Sequence, residues 1–156
     1  MATVTVNELV SYEGKHIKEI CSAGFVGDEK NHCAHFVSHV LGFDFGLTCR
    51  ALTGKGANKA NVRVQEIFAK CPEVGRWEGG VDVSAQGLMF VTDDTNVNLT
   101  AKVMKNVPKK HIGIYVGGDV WHYSNSQDKV VKQAVSQFGK HYSGSNITLF
   151  SGAFPL

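Results

Sequence analysis

Three residues in this sequence have the types and spacing for nucleophilic catalysis: Cys33, His111 and His122. Cys33 lies in Asn31-His32-Cys33-Ala34-His35-Phe36-Val37, and the spacing of Phe36, Val37, Val40 and Leu41 predicts a helix over 33–41, closed by Gly42. A Cys in the first turn of a helix feels the partial positive charge of unpaired backbone N–H groups, which favours thiolate over thiol. Asn31 is placed to cap the helix, and the Cys33 N–H to stabilise an oxyanion. Taken alone, the segment also reads as a small buried Cys on an apolar stripe.

The two histidines belong to a strand pair. In His111-Ile112-Gly113-Ile114-Tyr115-Val116, the three β-branched residues share one strand face and His111, Gly113 and Tyr115 the other. A two-residue hairpin loop at Gly117-Gly118 pairs Val116 with Asp119 and Gly113 with His122. His122 then falls on the His111 face at a diagonal position, roughly 7–8 Å away at the backbone and within reach of a second imidazole. Gly113 leaves space beside the pair. A three-residue loop would turn His122 to the other face. A thiol at a helix start and two such histidines supply a nucleophile, a base and an orienting group.

The NHCAHFV segment followed much later by HIGIYVGGDVWHYSNS resembles the NlpC/P60 cysteine peptidases, of the papain-like clan that includes the CHAP amidases. The resemblance implies an α+β, papain-like fold in which N-terminal helices, among them the nucleophile's, pack on an antiparallel β-sheet carrying the base. It implies amide hydrolysis, most often of peptidoglycan stem peptides, with Cys33 as nucleophile, His111 as base and His122 as third polar residue. Asn125 is the alternative third residue, since some papain-like enzymes use Asn.

Departures from the pattern leave other readings open. Family members often read Asp-Cys-Ser-Gly-Phe where this chain has His32-Cys33-Ala34-His35-Phe36, and Tyr12 is the only Tyr before Cys33. The Cys segment also resembles the Asn-Cys-Glu-His-Phe pattern of lecithin:retinol acyltransferase-like proteins. Those place the His strand before the Cys, so chain order favours the NlpC/P60 arrangement. An acyltransferase or lipid thioesterase of that branch is one alternative, and a non-catalytic module of the same fold is another. Small cell-wall amidases delivered as toxins between bacteria share this chain's size and lack a classical signal peptide. A toxin of that kind requires an inhibitor or immunity partner.

No metal or cofactor is expected. His35 and His39 could offer two ligands from one helix face, with His32 or Cys33 beside them, but no HExxH pattern accompanies them and they read as solvent-facing. Cys33, His111 and His122 could instead form a three-ligand zinc set. Cys21, Cys49 and Cys71 have no His partner nearby in sequence and read as structural thiols. Trp121 and Tyr123 alternate away from His122 and read as core.

The elements that must position these groups divide the chain. Apolar spacing predicts helices over 6–21, 33–41 and 61–69, an irregular stretch over 72–80, and strands over 87–92, 111–117, 120–124 and 146–150. A further helix is expected over 128–138. Helices first and antiparallel strands second indicate an α+β domain. The 156 residues, 43% hydrophobic and 19% charged with no linker or repeat, indicate a single domain over 1–156. A net charge of +2 with no basic cluster argues against nucleic acid as partner, and no apolar run is long enough to cross a membrane. Met1–Val10 lacks the regions of a secretory signal. The expectation is a protein made in the cytosol, and kept there or exported by a signal-peptide-independent route.

Overall fold

The computed structural model describes residues 3–155, so the ends of the domain expected over 1–156 lie outside the described residues. The first helix, α1 (Val6–Tyr12), begins at a Thr5 cap whose side chain accepts from the Glu8 N–H. The expected helix over 6–21 stops early. The Gly14 N–H donates to the Val130 carbonyl and the Lys15 carbonyl accepts from the Val130 N–H, so the chain leaves the helix to pair with a distant strand. A 3-10 turn, Ile17–Glu19, follows.

Helix α2 (Cys33–Leu41) has the expected bounds and ends at Gly42. It buries Cys33, Ala34, His35, Phe36, Val37 and Ser38. Full burial of Phe36 and Val37 stabilises the element by roughly 1.5–3 kcal/mol each. A short helix not foreseen, α3 (Cys49–Thr53), is capped by Thr48, whose side chain accepts from the Ala51 N–H. Helix α4 (Val64–Lys70) buries Val64, Ile67 and Phe68.

The strands follow. β1 (Val74–Arg76) interrupts the stretch expected to be irregular, and β2 (Gln86–Asp93) is buried over most of its length. β3 (Val97–Asn98) and β4 (Val103–Met104) pair as a small separate ribbon. β5 (Lys110–Val116), β6 (Asp119–Ser124) and β7 (Lys129–Ala134) are consecutive, then a four-residue helix α5 (Val135–Phe138) leads toward β8 (Ile147–Gly152). The main sheet has the order β1-β8-β2-β5-β6-β7, with every pairing antiparallel. The chain is thus α+β, with helices mostly in the first half and an antiparallel sheet in the second.

The helix expected over 128–138 is the largest local correction. Its first half is β7, held in register by His122↔Val131 and Trp121↔Lys132, and only Val135–Phe138 is helical. Val130 and Val131 are β-branched, and pairing with β6 outweighs the weak helical spacing.

Two apolar clusters cover the two faces of the sheet. Ile112, Ile114, Trp121 and Tyr123 lie with Cys33, Phe36 and Val37 under α2. Met89, Val91, Tyr115 and Val120 lie with Val135 and Phe138 under α5. Trp121 and Tyr123 are therefore core, as their alternation indicated. Among the described residues, no helix is long and apolar enough to cross a membrane.

Candidate functional site

The β5–β6 hairpin sets the site's geometry. Val116 pairs with Asp119 and Ile114 with Trp121, the register expected from a Gly117-Gly118 loop. Both glycines have positive φ, 67° and 87°, the backbone that a tight turn of matching twist demands. The register puts His111 and His122 on one face, and His111 Nε2 meets His122 Nδ1 at 2.9 Å. Both rings are buried, at 1% and 2% exposure.

Gly113 makes the pairing sterically feasible. A Cβ there would stand 2.5 Å from Val120 Cγ1, 3.0 Å from the Trp121 carbonyl oxygen and 3.2 Å from His122 Cβ. Gly113→Ala should push His122 off His111 and cost about 1–3 kcal/mol of stability, read by denaturant unfolding. Unchanged stability would show that the hairpin yields without strain.

Two groups that the sequence did not reveal complete this face. Gln133, on β7, accepts at Oε1 from His122 Nε2 at 2.7 Å. His141 stacks on His111 with ring centroids 3.9 Å apart and planes 9° from parallel. Phe138 lies against both members of the pair, 5.6 and 5.1 Å from their centroids, and helps keep water out. Gln133 was hidden because its segment read as helix, where it has no fixed relation to His122. The extended stretch of β-branched residues beginning at Val130 was the available signal.

The hydrogen-bond chain fixes the tautomers. Gln133 Oε1 is an acceptor, so His122 carries its proton on Nε2 and presents a lone pair at Nδ1. His111 must then donate from Nε2. Its Nδ1 is left as a bare lone pair, buried and without a hydrogen-bond partner. Burial first, then the neighbouring His122 and His141, holds the His111 pKa well below the ordinary imidazole range. Burial likewise lowers His122 to about 4.

Cys33 arrives from the opposite face. It sits 1% exposed in the cluster under α2, and its sulfur lies against the backbone N–H of Ile112, the residue after His111. The thiol and the His111 imidazole therefore lie on opposite faces at the start of β5, one strand residue apart, and the structure does not bring them into contact. Tyr142 is close enough that a thiolate here would raise its phenol pKa beyond what burial alone does.

The electrostatics overturn one expectation. Burial pushes the Cys33 thiol up to about 11, and the N–H groups of Ile112 and Ala34 and the Lys110 ammonium do not overcome it. The helix start does not produce a resting thiolate. The Cys33 N–H, expected to face an oxyanion, donates to Asn31 Oδ1 at 3.0 Å. The N-cap of α2 is His32, not Asn31, and its side chain makes no capping bond; Asn31 stands one residue earlier and accepts from the first helical N–H.

The Asn125 side chain meets Asn31 and His32 and not His111. Its Nδ2 donates to Asn31 Oδ1 at 3.0 Å and its Oδ1 accepts from the His32 N–H at 2.9 Å, because the chain turns toward α2 after β6 ends. It clamps the loop before Cys33. A cavity of about 80 Å³ opens on the thiol, lined among others by Asn31, Arg63, Asn106 and Lys110.

His35 and His39 are not solvent-facing. His35 is fully buried and His39 largely so, because α2 is covered on that side by Phe25 and by the chain around Cys21 and Cys49. The four cysteines are all buried and free. Among the described residues, one group of His, Cys, Asp and Glu side chains brings its ligand atoms within 4.8 Å of one another: Cys21, His35, His39 and Cys49. Cys33, His111 and His122 do not converge in that way.

No family model, curated protein or solved structure matches the chain.

Proposed function

We propose that this protein is a cysteine hydrolase of papain-like, NlpC/P60 type that cleaves amide bonds, with peptidoglycan stem peptides as its substrate class. The observation that carries the reading is the Gln133–His122–His111 chain, which ends in an unpartnered lone pair at His111 Nδ1, one residue along β5 from the Ile112 N–H that the Cys33 sulfur meets on the other face. A general base needs that proton-free nitrogen, and an orienting group must keep it so.

The resting pair is neutral, so proton transfer accompanies attack. In the proposed step the start of β5 opens so that His111 Nδ1 reaches the thiol and takes its proton while Sγ bonds to the amide carbon. The C–N bond then breaks as the same nitrogen returns the proton to the leaving amine. Water, deprotonated at His111 Nδ1, attacks the thioester carbon; the acid leaves and the thiol is restored. Charge on the carbonyl oxygen is met by the Cys33 N–H once Asn31 releases it. Arg63 and Lys110 give the approach a cationic lining, suited to the carboxylates of a stem peptide. The cavity admits an amide group but not a whole peptide, so substrate must part the walls. Such a substrate lies outside the cytosol, which calls for export and for an inhibitor that protects the producer.

The test is mass spectrometry of purified peptidoglycan incubated with wild type and with Cys33→Ala. New stem-peptide fragments should appear with wild type alone, and their masses name the bond. Fragments from both proteins would overturn Cys33 as nucleophile. Cleavage of acyl esters in place of peptidoglycan would overturn the substrate class and favour the acyltransferase-like branch.

A further inference from the structure

We propose that Cys21, His35, His39 and Cys49 bind one Zn²⁺ in a closed, four-ligand structural site. The proposal stands whether or not Cys33 is catalytic. Cys21 lies in the segment after the 3-10 turn, His35 and His39 are one turn apart on α2, and Cys49 opens α3. One ion would pin three elements that share no backbone ladder.

The sulfur–sulfur and nitrogen–nitrogen spacings match two edges of a zinc tetrahedron, and all four ligand atoms lie within 4.8 Å of one another. Zinc–sulfur bonds of about 2.3 Å and zinc–nitrogen bonds of about 2.05 Å place two sulfurs about 3.8 Å apart and two nitrogens about 3.3 Å apart. Cys21 Sγ and Cys49 Sγ are 3.7 Å apart, and His35 Nε2 and His39 Nε2 are 3.1 Å apart. The sulfurs are too distant for a disulfide, whose bond is about 2.05 Å. Two thiolates and two imidazoles form a donor set that suits zinc, and their two negative charges balance the ion in a buried place.

The surrounding hydrogen bonds orient these ligands. The Gly27 carbonyl accepts from His32 Nε2 at 2.8 Å, so His32 Nδ1 carries a lone pair. His35 must donate to it from Nδ1, at 3.0 Å. That leaves His35 Nε2 unprotonated and aimed at Cys21, Cys49 and His39. An outer partner that fixes a ligand's tautomer is a recurring feature of metal-bound histidine. The Ala23 N–H donates to Cys21 Sγ and the Ala60 N–H to Cys49 Sγ, each at 3.4 Å, which orients both sulfurs. With four protein ligands no position is open to substrate, so the site is structural. It holds α2 at its second turn, and through His32 it reaches the residue next to Cys33.

The test is metal analysis of protein purified without chelator, by plasma mass spectrometry. About one zinc per chain is expected, falling below about a fifth in Cys49→Ser and in His39→Ala and unchanged in Cys71→Ser. Wild type supplies readouts that need no variant. Cobalt substitution should give the visible bands of a tetrahedral thiolate site. A strong chelator should lower the melting temperature by roughly 10 °C or more, restored by added zinc. Less than about a tenth of an equivalent of zinc, with no cobalt bands and no zinc-dependent melting shift, would overturn the site. A Cys21–Cys49 disulfide in freshly purified protein, seen as a mass lower by two hydrogens, would also overturn it.

Discussion

His111→Ala should lower kcat/KM for amide cleavage by about 10³–10⁴-fold while leaving the protein folded. The size follows from the resting state of the nucleophile. Burial holds the Cys33 thiol near 11, so almost none of it is thiolate at neutral pH without a base to take its proton. The wild-type profile should be unusual for a histidine base. Because burial holds His111 well below the ordinary imidazole range, the base stays proton-free from alkaline pH down through 6.5. Activity should therefore be flat across neutrality and fall only in more acid solution, as the His111–His122 pair takes up a proton. In His111→Ala the only route to attack is spontaneous ionisation of the thiol. Its residual rate should rise about tenfold per pH unit toward the Cys33 pKa of about 11. A flat wild-type profile beside a sloped variant profile identifies a base. Two parallel profiles, or wild-type activity in the variant, would remove His111 from the proton path.

How far the sequence reached depended on which physics was local. The β5–β6 hairpin was legible because strict alternation, a two-glycine loop and a side-chain-free position 113 all specify one register, and that register alone brings two imidazoles together. Helix α2 was legible from its apolar stripe and its terminal glycine. Non-local features were not. Helix α1 ends where Gly14 and Lys15 meet Val130, residues more than a hundred positions away. β7 read as a helix because its strand character comes from pairing with β6. Desolvation reversed the effect of the helix start on Cys33, and burial depends on the whole fold. The Cys21–His35–His39–Cys49 group was invisible for the same reason: only His35 and His39 are neighbours along the chain, and two elements must close on them before the thiols arrive.

Gln133 gives the second large effect. It touches neither substrate nor thiol, so it is a positioning residue, acting through His122 on His111. In Gln133→Leu the His122 Nε2–H loses its acceptor inside a buried face. Leaving such a donor unpaired costs about 1–3 kcal/mol, and His122 can avoid that cost by moving its proton to Nδ1. That proton then points at His111 Nε2, which must become the acceptor and carry its own proton on Nδ1. The lone pair that should meet the Cys33 proton is gone. The expected result is a fall in kcat of about 10–100-fold with KM nearly unchanged, because the cavity around Arg63 and Lys110, proposed to receive the substrate, is untouched. Gln133→Glu separates this role from simple packing. A carboxylate still accepts from His122 Nε2, so the tautomer chain and most of the activity return. Its negative charge also raises the His122 pKa from about 4, moving the acid limb of the profile toward neutrality. A merely structural Gln133 would lose stability in the Leu variant without that split between kcat and KM, and its Glu variant would leave the acid limb where it was.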